Sequence, residues 1–149
     1  MSIKVIASNR KARHNYAISD TWEAGISLQG TEVKALRQGK ANLSDGWVDI
    51  AEGEAFLKEV HISPYSHGNR ENHPEKRTRK LLLHKKEIHK MERAVNEKGF
   101  ALVPLKLYFK HGKIKAEIGL GKGKKFYDKR ESKKKQDSDR DMQRAMRRS

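Results

Sequence analysis

Residues 104–120, PLKLYFKHGKIKAEIGL, alternate apolar and charged side chains on both sides of a His-Gly pair. Leu105, Leu107 and Phe109 point one way, with Lys106, Tyr108 and Lys110 the other. Ile114, Ala116, Ile118 and Leu120 repeat the pattern against Lys113, Lys115 and Glu117. A period of two is that of half-buried strands. His111-Gly112 is a suitable two-residue hairpin connection, because glycine tolerates positive φ. Pro104 has no amide to donate, so its strand begins there or carries an edge or bulge. Upstream, WVDIA (47–51), the turn Glu52-Gly53-Glu54 and AFLKEVHI (55–62) suggest a second hairpin. Tyr16–Ile18 and Ile26–Leu28 are shorter strand candidates. The expected class is mainly β: a small closed, or nearly closed, antiparallel barrel of six strands, since closure removes exposed edges.

About three helices flank that barrel in this reading. Thr31 caps TEVKALRQ, Val33 and Leu36 share its inner face, and Gly39 stops it. A longer helix runs from about Lys85 to Lys98, with Ile88, Met91 and Val95 on one stripe and Gly99 at its end. A short helical turn is expected around Thr21–Ala24. The polar segment Ser63–Lys80 reads as a long surface loop whose end carries Lys76, Arg77, Arg79 and Lys80.

The 149 residues include 34 Lys and Arg against 19 Asp and Glu, a formal charge of +15. Polyanions are the partners such a charge attracts, and nucleic acid is the usual one. Residues 1–121 hold 22 basic and 14 acidic side chains, a net of +8; residues 122–149 hold 12 and 5, a net of +7. The chain therefore divides into a folded body, 1–121, and a basic tail, 122–149. The tail is poor in core formers, and its composition is that of a segment disordered when free that orders on an anionic surface. No stretch approaches the roughly 18 apolar residues of a spanning helix, and the N-terminus lacks a signal-peptide core. The cytoplasm is the expected location, with no membrane partner. The chain has no Cys, hence no disulfide or Cys-based zinc site.

Three basic clusters stand out. NRKARHNY (9–16) sets Arg10, Lys11, Arg13 and His14 beside Tyr16; guanidinium groups fork onto phosphates, and the rings can stack on bases. RTRKLLLHKKEIHK (77–90) places Arg77, Arg79, Lys80, Lys85 and Lys86 around three leucines, at least one of them in the core. GLGKGKKFYDKR (119–130) combines close-approach glycines with Lys122, Lys124 and Lys125, but lacks the Lys-Ser/Thr pair of a P-loop. Enzymatic and metal readings are weaker. His84 and His89 with Glu87 match no zinc motif, and His67 and His73 are expected to be solvated or RNA-facing. Asp45 is a turn residue before Gly46 and Asp49 an outward strand residue, so they do not make a two-metal nuclease site. No catalytic residue, metal or cofactor is expected. The remaining classes are a specific RNA-binding protein, a general RNA chaperone or ribosomal protein, and an RNA-processing enzyme.

These clusters, with TWEAGISLQGTEVKALRQGKANLSD (21–45) and VPLKLYFKHGKIKAEIGLGKGKKFYDKR (103–130), resemble in register the small protein B family of tmRNA-binding proteins. The resemblance spans nearly the whole chain. It implies a barrel related to the oligonucleotide-binding fold and a protein that binds the tRNA-like domain of tmRNA and brings it to stalled ribosomes. It implies tmRNA contacts at Asn9, Arg13, His14, Glu23, Leu82 and His84, to which the basic residues Arg10, Lys11, Lys34, Arg37, Lys40, Arg79, Lys80 and Lys85 are added. His84 stands where some relatives carry Asn, and Gly121 where Ala is common. The ribosome-facing set is Lys122, Gly123, Lys124, Lys125, Tyr127, Asp128, Lys129 and Arg130. In the tail, Met142 and Met146 lie at helical spacing among Arg140, Arg144 and Arg147, with Ser138 where some relatives carry Trp. The tail is expected to form a helix at the decoding centre of the small subunit and in the empty mRNA channel. Elongation factor Tu is an indirect partner, through charged tmRNA.

Overall fold

The structure, a computed structural model, describes residues 3–65 and 72–124. Nine strands and three helices follow in the order β1 (Lys4–Ser8), α1 (Arg10–Asn15), β2 (Tyr16–Ile26), α2 (Gly30–Arg37), β3 (Ala41–Asn42), β4 (Trp47–Ala51), β5 (Glu54–Lys58), β6 (His61–Ile62), β7 (Arg79–Leu82), α3 (Lys85–Lys98), β8 (Ala101–Lys110) and β9 (Lys113–Gly123). Seven strands form one antiparallel sheet in the order β1-β8-β9-β2-β7-β5-β4, and β3 pairs with β6.

Both expected hairpins are present. His111 and Gly112 have φ of 53° and 74°, and Glu52 and Gly53 have φ of 52° and 75°. Two consecutive positive φ values are those of the type I′ turn, whose twist matches the flanking strands. The β8–β9 register slips between Pro104 and Lys106, so proline sits at a bulge. β8 starts three residues before it, at Ala101.

The mainly antiparallel class with three helices is as expected, but the closed six-stranded barrel is not formed. β1 and β4 are the edges of an open sheet. β4 packs beside β8 without a hydrogen-bonded ladder. Asn9 reaches across that seam instead: its Nδ2 donates to Leu43 O at 3.0 Å and to Pro104 O at 2.9 Å. Two further expectations fail locally, at residues 21–24 and 63–80. Thr21–Ala24 is strand, inside an eleven-residue β2 that absorbs both Tyr16–Ile18 and Ile26. Residues 10–15 form α1, because Asn9 Oδ1 accepts from Ala12 N at 3.0 Å and caps it. The 63–80 segment is not loop to its end, since β7 starts at Arg79.

α2 begins one residue before Thr31. Gln29 is its N-cap, and Glu32 reaches back to accept from Gln29 N at 2.8 Å. α3 has the expected span, and Glu87 accepts from His84 N at 3.1 Å in the same way. Gly99 ends it with φ of 68°. The core is built from Leu36, Leu57, Leu81, Met91, Leu107 and Ile118, all essentially inaccessible, so α2 and α3 cover the inner face of the sheet. β9 runs through Gly123, two residues past the expected end of the body. At Gly121 a Cβ would come within 2.8 Å of Tyr16 Cβ, so the side-chain-free residue lets β2 and β9 close up.

Candidate nucleic-acid interface

The inner face of β2 carries Ala24 and Ile26, which places Thr21, Glu23 and Gly25 on the outer face. Register then aligns rows across the sheet. Lys106, Glu117 and Glu23 are paired in sequence from β8 through β9 to β2. Next to them run Tyr108, Lys115, Gly25 and Leu82. These two rows of the outer face carry Lys106 and Lys115, the carboxylates of Glu23 and Glu117, and Leu82 at one end.

Each carboxylate is held by several donors. Glu23 Oε2 accepts from Tyr108 OH at 2.6 Å, and Lys110 Nζ lies 3.2 and 3.4 Å from its two oxygens. The Tyr108 hydrogen bond holds the Glu23 carboxyl below its usual range; partial burial works against this, and the Lys110 and Lys115 charges add to it. Burial, then the bond to Glu23 and its charge, push the Tyr108 phenol far above its ordinary value. Glu117 takes Arg13 at 3.3 Å and Lys106 at 3.5 Å. Through that bridge α1 joins the face.

Beside Glu23 lies a groove of about 570 Å³ lined by Glu23, Lys80, Leu82, His84, Lys85 and Lys115. A second hollow of about 370 Å³ shares Leu82 and Lys115 and adds Arg37 and Lys113. Leu82 stands between them with 57% of its surface exposed. The strand period explains this: Arg79 and Leu81 turn inward while Lys80 and Leu82 turn outward. The structure thus gathers Arg13, Glu23, Arg37, Lys80, Leu82, His84 and Lys85 from five separate elements or their caps.

Other expected contacts lie elsewhere. Asn9 is 4% exposed and its amide is fully engaged with backbone, so its part is to position α1. Arg79 is fully buried: Nε donates to Glu32 Oε2, one terminal nitrogen to Val60 O at 2.8 Å and the other to Glu75 O at 3.3 Å. Glu32 is equally buried and also accepts from Arg77 at 2.7 Å. Burial would raise the Glu32 carboxyl, but the Arg77 bond, the Gln29 amide and the Arg79 charge outweigh it and hold it below the usual range. This pair ties α2 to β7. His73 is likewise buried, its Nε2 donating to Ile62 O at 2.9 Å while Nδ1 meets Thr31 Oγ1 at 2.9 Å, which corrects the expectation of a solvated histidine.

Lys11 is drawn to Asp45 at 3.8 Å on the rim of another cleft, near the exposed Trp47. Lys34 lies 5.5 Å above the Tyr65 ring, and Arg10 and Lys40 are exposed. His14 is half-buried on α1. Of the ribosome-facing set, Lys122 and Gly123 close β9 opposite Ala17 and Tyr16, and Lys124 is pinned to α1. Its N donates to Asn15 O at 2.9 Å and its Nζ to Arg13 O at 3.1 Å. His67, Lys125, Tyr127, Asp128, Lys129, Arg130, Ser138, Arg140, Met142, Arg144, Met146 and Arg147 lie outside the described residues.

Sequence reasoning left out Lys106, Tyr108, Lys110, Lys115 and Glu117 as site residues. The signal was present in the alternation of the hairpin, which already put them on the face opposite Leu107; what was lacking was the register that sets them beside Glu23 and buries Tyr108. Among the described residues no group of three His, Asp or Glu side chains could hold a metal ion, and no helix is long and apolar enough to cross a membrane.

Residues 6–148 match the model of the SmpB protein family. The SsrA-binding protein of Geotalea uraniireducens is 58% identical over 142 residues, covering 95% of this chain and 94% of its own. That of Bacillus subtilis is 55% identical over 144 residues, covering 97% and 92%. A solved chain described as "tmRNA-SmpB: a journey to the center of the bacterial ribosome" superposes with a TM-score of 0.68 at 44% identity, over 85% of this chain and 92% of that one.

Proposed function

The chain belongs to the SmpB protein family, and from that premise we propose that it binds the tRNA-like domain of tmRNA and delivers it to stalled ribosomes for trans-translation. The observation that carries the site is the groove at Glu23, where residues from four distant stretches of sequence meet and Lys80, Lys85 and Lys115 stand among the carboxylates of Glu23, Glu54 and Glu87.

The mechanism is recognition without chemistry. Arg13, Arg37, Lys80, Lys85 and the outward lysines of β8 and β9 contact phosphates and give affinity. A carboxylate cannot approach a phosphate, so Glu23 accepts from a base amino or imino group or from a ribose hydroxyl. Tyr108 and Lys110 hold it in one orientation and keep it ionised. Leu82 packs its exposed side chain against an unstacked base or a ribose. Charge alone would take any RNA; the fixed acceptor and apolar ridge supply the preference for a folded elbow. Lys122, Gly123 and Lys124 begin the segment that faces the ribosome, and the basic tail beyond them enters the decoding centre and the empty mRNA channel. Elongation factor Tu is met through the charged tmRNA. The process is cytoplasmic.

The test is a titration against the tRNA-like domain with an ordinary tRNA as competitor. With roughly six to ten phosphates engaged, affinity falls about 10³–10⁵-fold between ~50 and ~200 mM salt. Preference for the tRNA-like domain persists at the higher salt. Equal affinity for the two RNAs leaves only a general RNA chaperone and refutes the proposal.

A further inference from the structure

One cleft runs against the charge of the molecule. It has a volume of about 530 Å³ and is walled by α1, by α3, by β4 with the residues leading into it, and by the start of β8. Its charged lining is Asp45, Asp49 and Glu92 against the single cation Lys11, on a chain whose net charge is +15. Lys11 reaches Asp45 at 3.8 Å and Lys58 reaches Asp49 at 3.3 Å. Such solvent-screened pairs are weak and leave both carboxylates open to further cations. Glu92 has no ion pair among the described residues. Between the acids the wall is apolar: Tyr16, Ile50, Val95 and Phe100 are each half-buried, and Trp47 on the rim is 43% exposed. An acidic hollow with aromatic walls repels phosphates and suits a segment that joins aromatic side chains to cations.

Such a segment starts at the edge of the cleft. Lys124 N donates to Asn15 O at 2.9 Å, and Asn15 and Tyr16 both line the hollow. The residues that follow in sequence are Lys125, Phe126, Tyr127, Asp128, Lys129 and Arg130. Three cations and one acid give them a net charge of +2, opposite to the −2 that three acids and one cation give the cleft. Phe126 and Tyr127 are the only aromatic side chains beyond Lys124. At ~3.3–3.6 Å per extended residue, three residues carry them up to about 10 Å from the bond at Asn15. A tether that short acts as an effective concentration of the order of mM. Even a weak contact is then filled by the chain's own rings before those of another molecule.

We propose that in the free protein this cleft holds residues 125–130 of its own chain, Phe126 and Tyr127 against the apolar wall and the cations beside Asp45, Asp49 and Glu92. Docked there, the root of the tail is withheld until the phosphates of the ribosome compete for it. That consequence rests on the function proposed above; the docking itself does not. The test compares amide and methyl NMR spectra of the full chain with those of Phe126→Ser/Tyr127→Ser, because an aromatic ring shifts the nuclei packed against it. The expected shifts fall at Ile50 of β4 and at Val95 and Asn96 of α3, and leave Leu82 and Lys115 on the Glu23 face unmoved. Unmoved core signals of Leu107 and Ile118 show that the variant is folded. Glu92→Lys in the full chain turns an attraction into a repulsion and lowers the ratio of docked to undocked tail about 2–10-fold. The Ile50 methyl signals then move toward their positions in the ring-free variant. Shifts confined to Asn15 and Tyr16 overturn the proposal, because the rings then pass the cleft by. Glu92→Lys without effect at Ile50 overturns it as well, and so do shifts that disappear on dilution, which assign the cleft to a second copy. Binding of the tRNA-like domain is titrated separately, so a failure of the proposed function leaves each of these outcomes readable.

Discussion

Replacing Arg79 with Ala separates a core strut from an RNA contact. The guanidinium is buried and donates to Glu32, Val60 O and Glu75 O. Its loss leaves the buried Glu32 carboxylate with Arg77 at 2.7 Å and the Gln29 amide at 2.8 Å. Breaking a buried ion pair from one side costs about 3–5 kcal/mol. At ~2–4 °C per kcal/mol for a domain near this size, Tm falls by roughly 6–20 °C. Glu32→Gln/Arg79→Met removes both buried charges while Gln keeps an acceptor for Gln29, so it recovers most of the loss. pH gives an independent arm. The folded carboxyl of Glu32 lies below its ordinary value of 4.5. Its stabilisation is thus complete above that value and disappears as pH falls through the lower, folded one. Below pH 4.5 the wild type loses stability that Glu32→Gln does not. The assay is circular-dichroism melting, joined to titration of the tRNA-like domain well below the variant's Tm, where affinity stays within about twofold. A stability loss under about 1 kcal/mol together with a tenfold drop in affinity would refute the reasoning and return Arg79 to the RNA face.

Tyr108→Phe removes the 2.6 Å bond to Glu23 and frees the carboxylate to turn toward Lys110. A hydrogen bond to a charged group is worth about 1.5–3 kcal/mol of stability, which the melt reads, and tRNA-like-domain affinity falls in the same titration because the acceptor loses its fixed orientation. Asn9→Ala strips the cap of α1 and leaves Leu43 O and Pro104 O without their donor. Urea denaturation should show a loss of about 2–4 kcal/mol, with RNA affinity retained in the remaining folded protein. Truncation after Arg130 should preserve tRNA-like-domain binding and abolish tagging in a reconstituted translation system; weakened RNA binding would contradict that division of labour.

What the sequence determined by itself was whatever depends on neighbours along the chain. The β8–β9 hairpin is legible because alternation and a His-Gly turn are local, and α3 because a 3.6-residue apolar stripe ends at a glycine. The anionic partner follows from net charge, which no folding can alter. What only the tertiary structure decided was direction and company. Arg79 reads as one cation in a run of four, but β7 sets it on the same face as Leu81, and a buried Glu32 waits there from forty-seven residues upstream. The period was present in RTRKLL, but hidden by a charged residue at an inward position. The barrel stayed open because strand pairing is a non-local choice: β4 lies beside β8 without pairing to it, and the Asn9 side chain ties Pro104 of β8 to Leu43 ahead of β4. Glu23, Leu82 and Lys115 become one site through the register of β9, β2 and β7. Registers are set by pairs of distant strands meeting over a shared core, a fact that no single stretch of the chain carries.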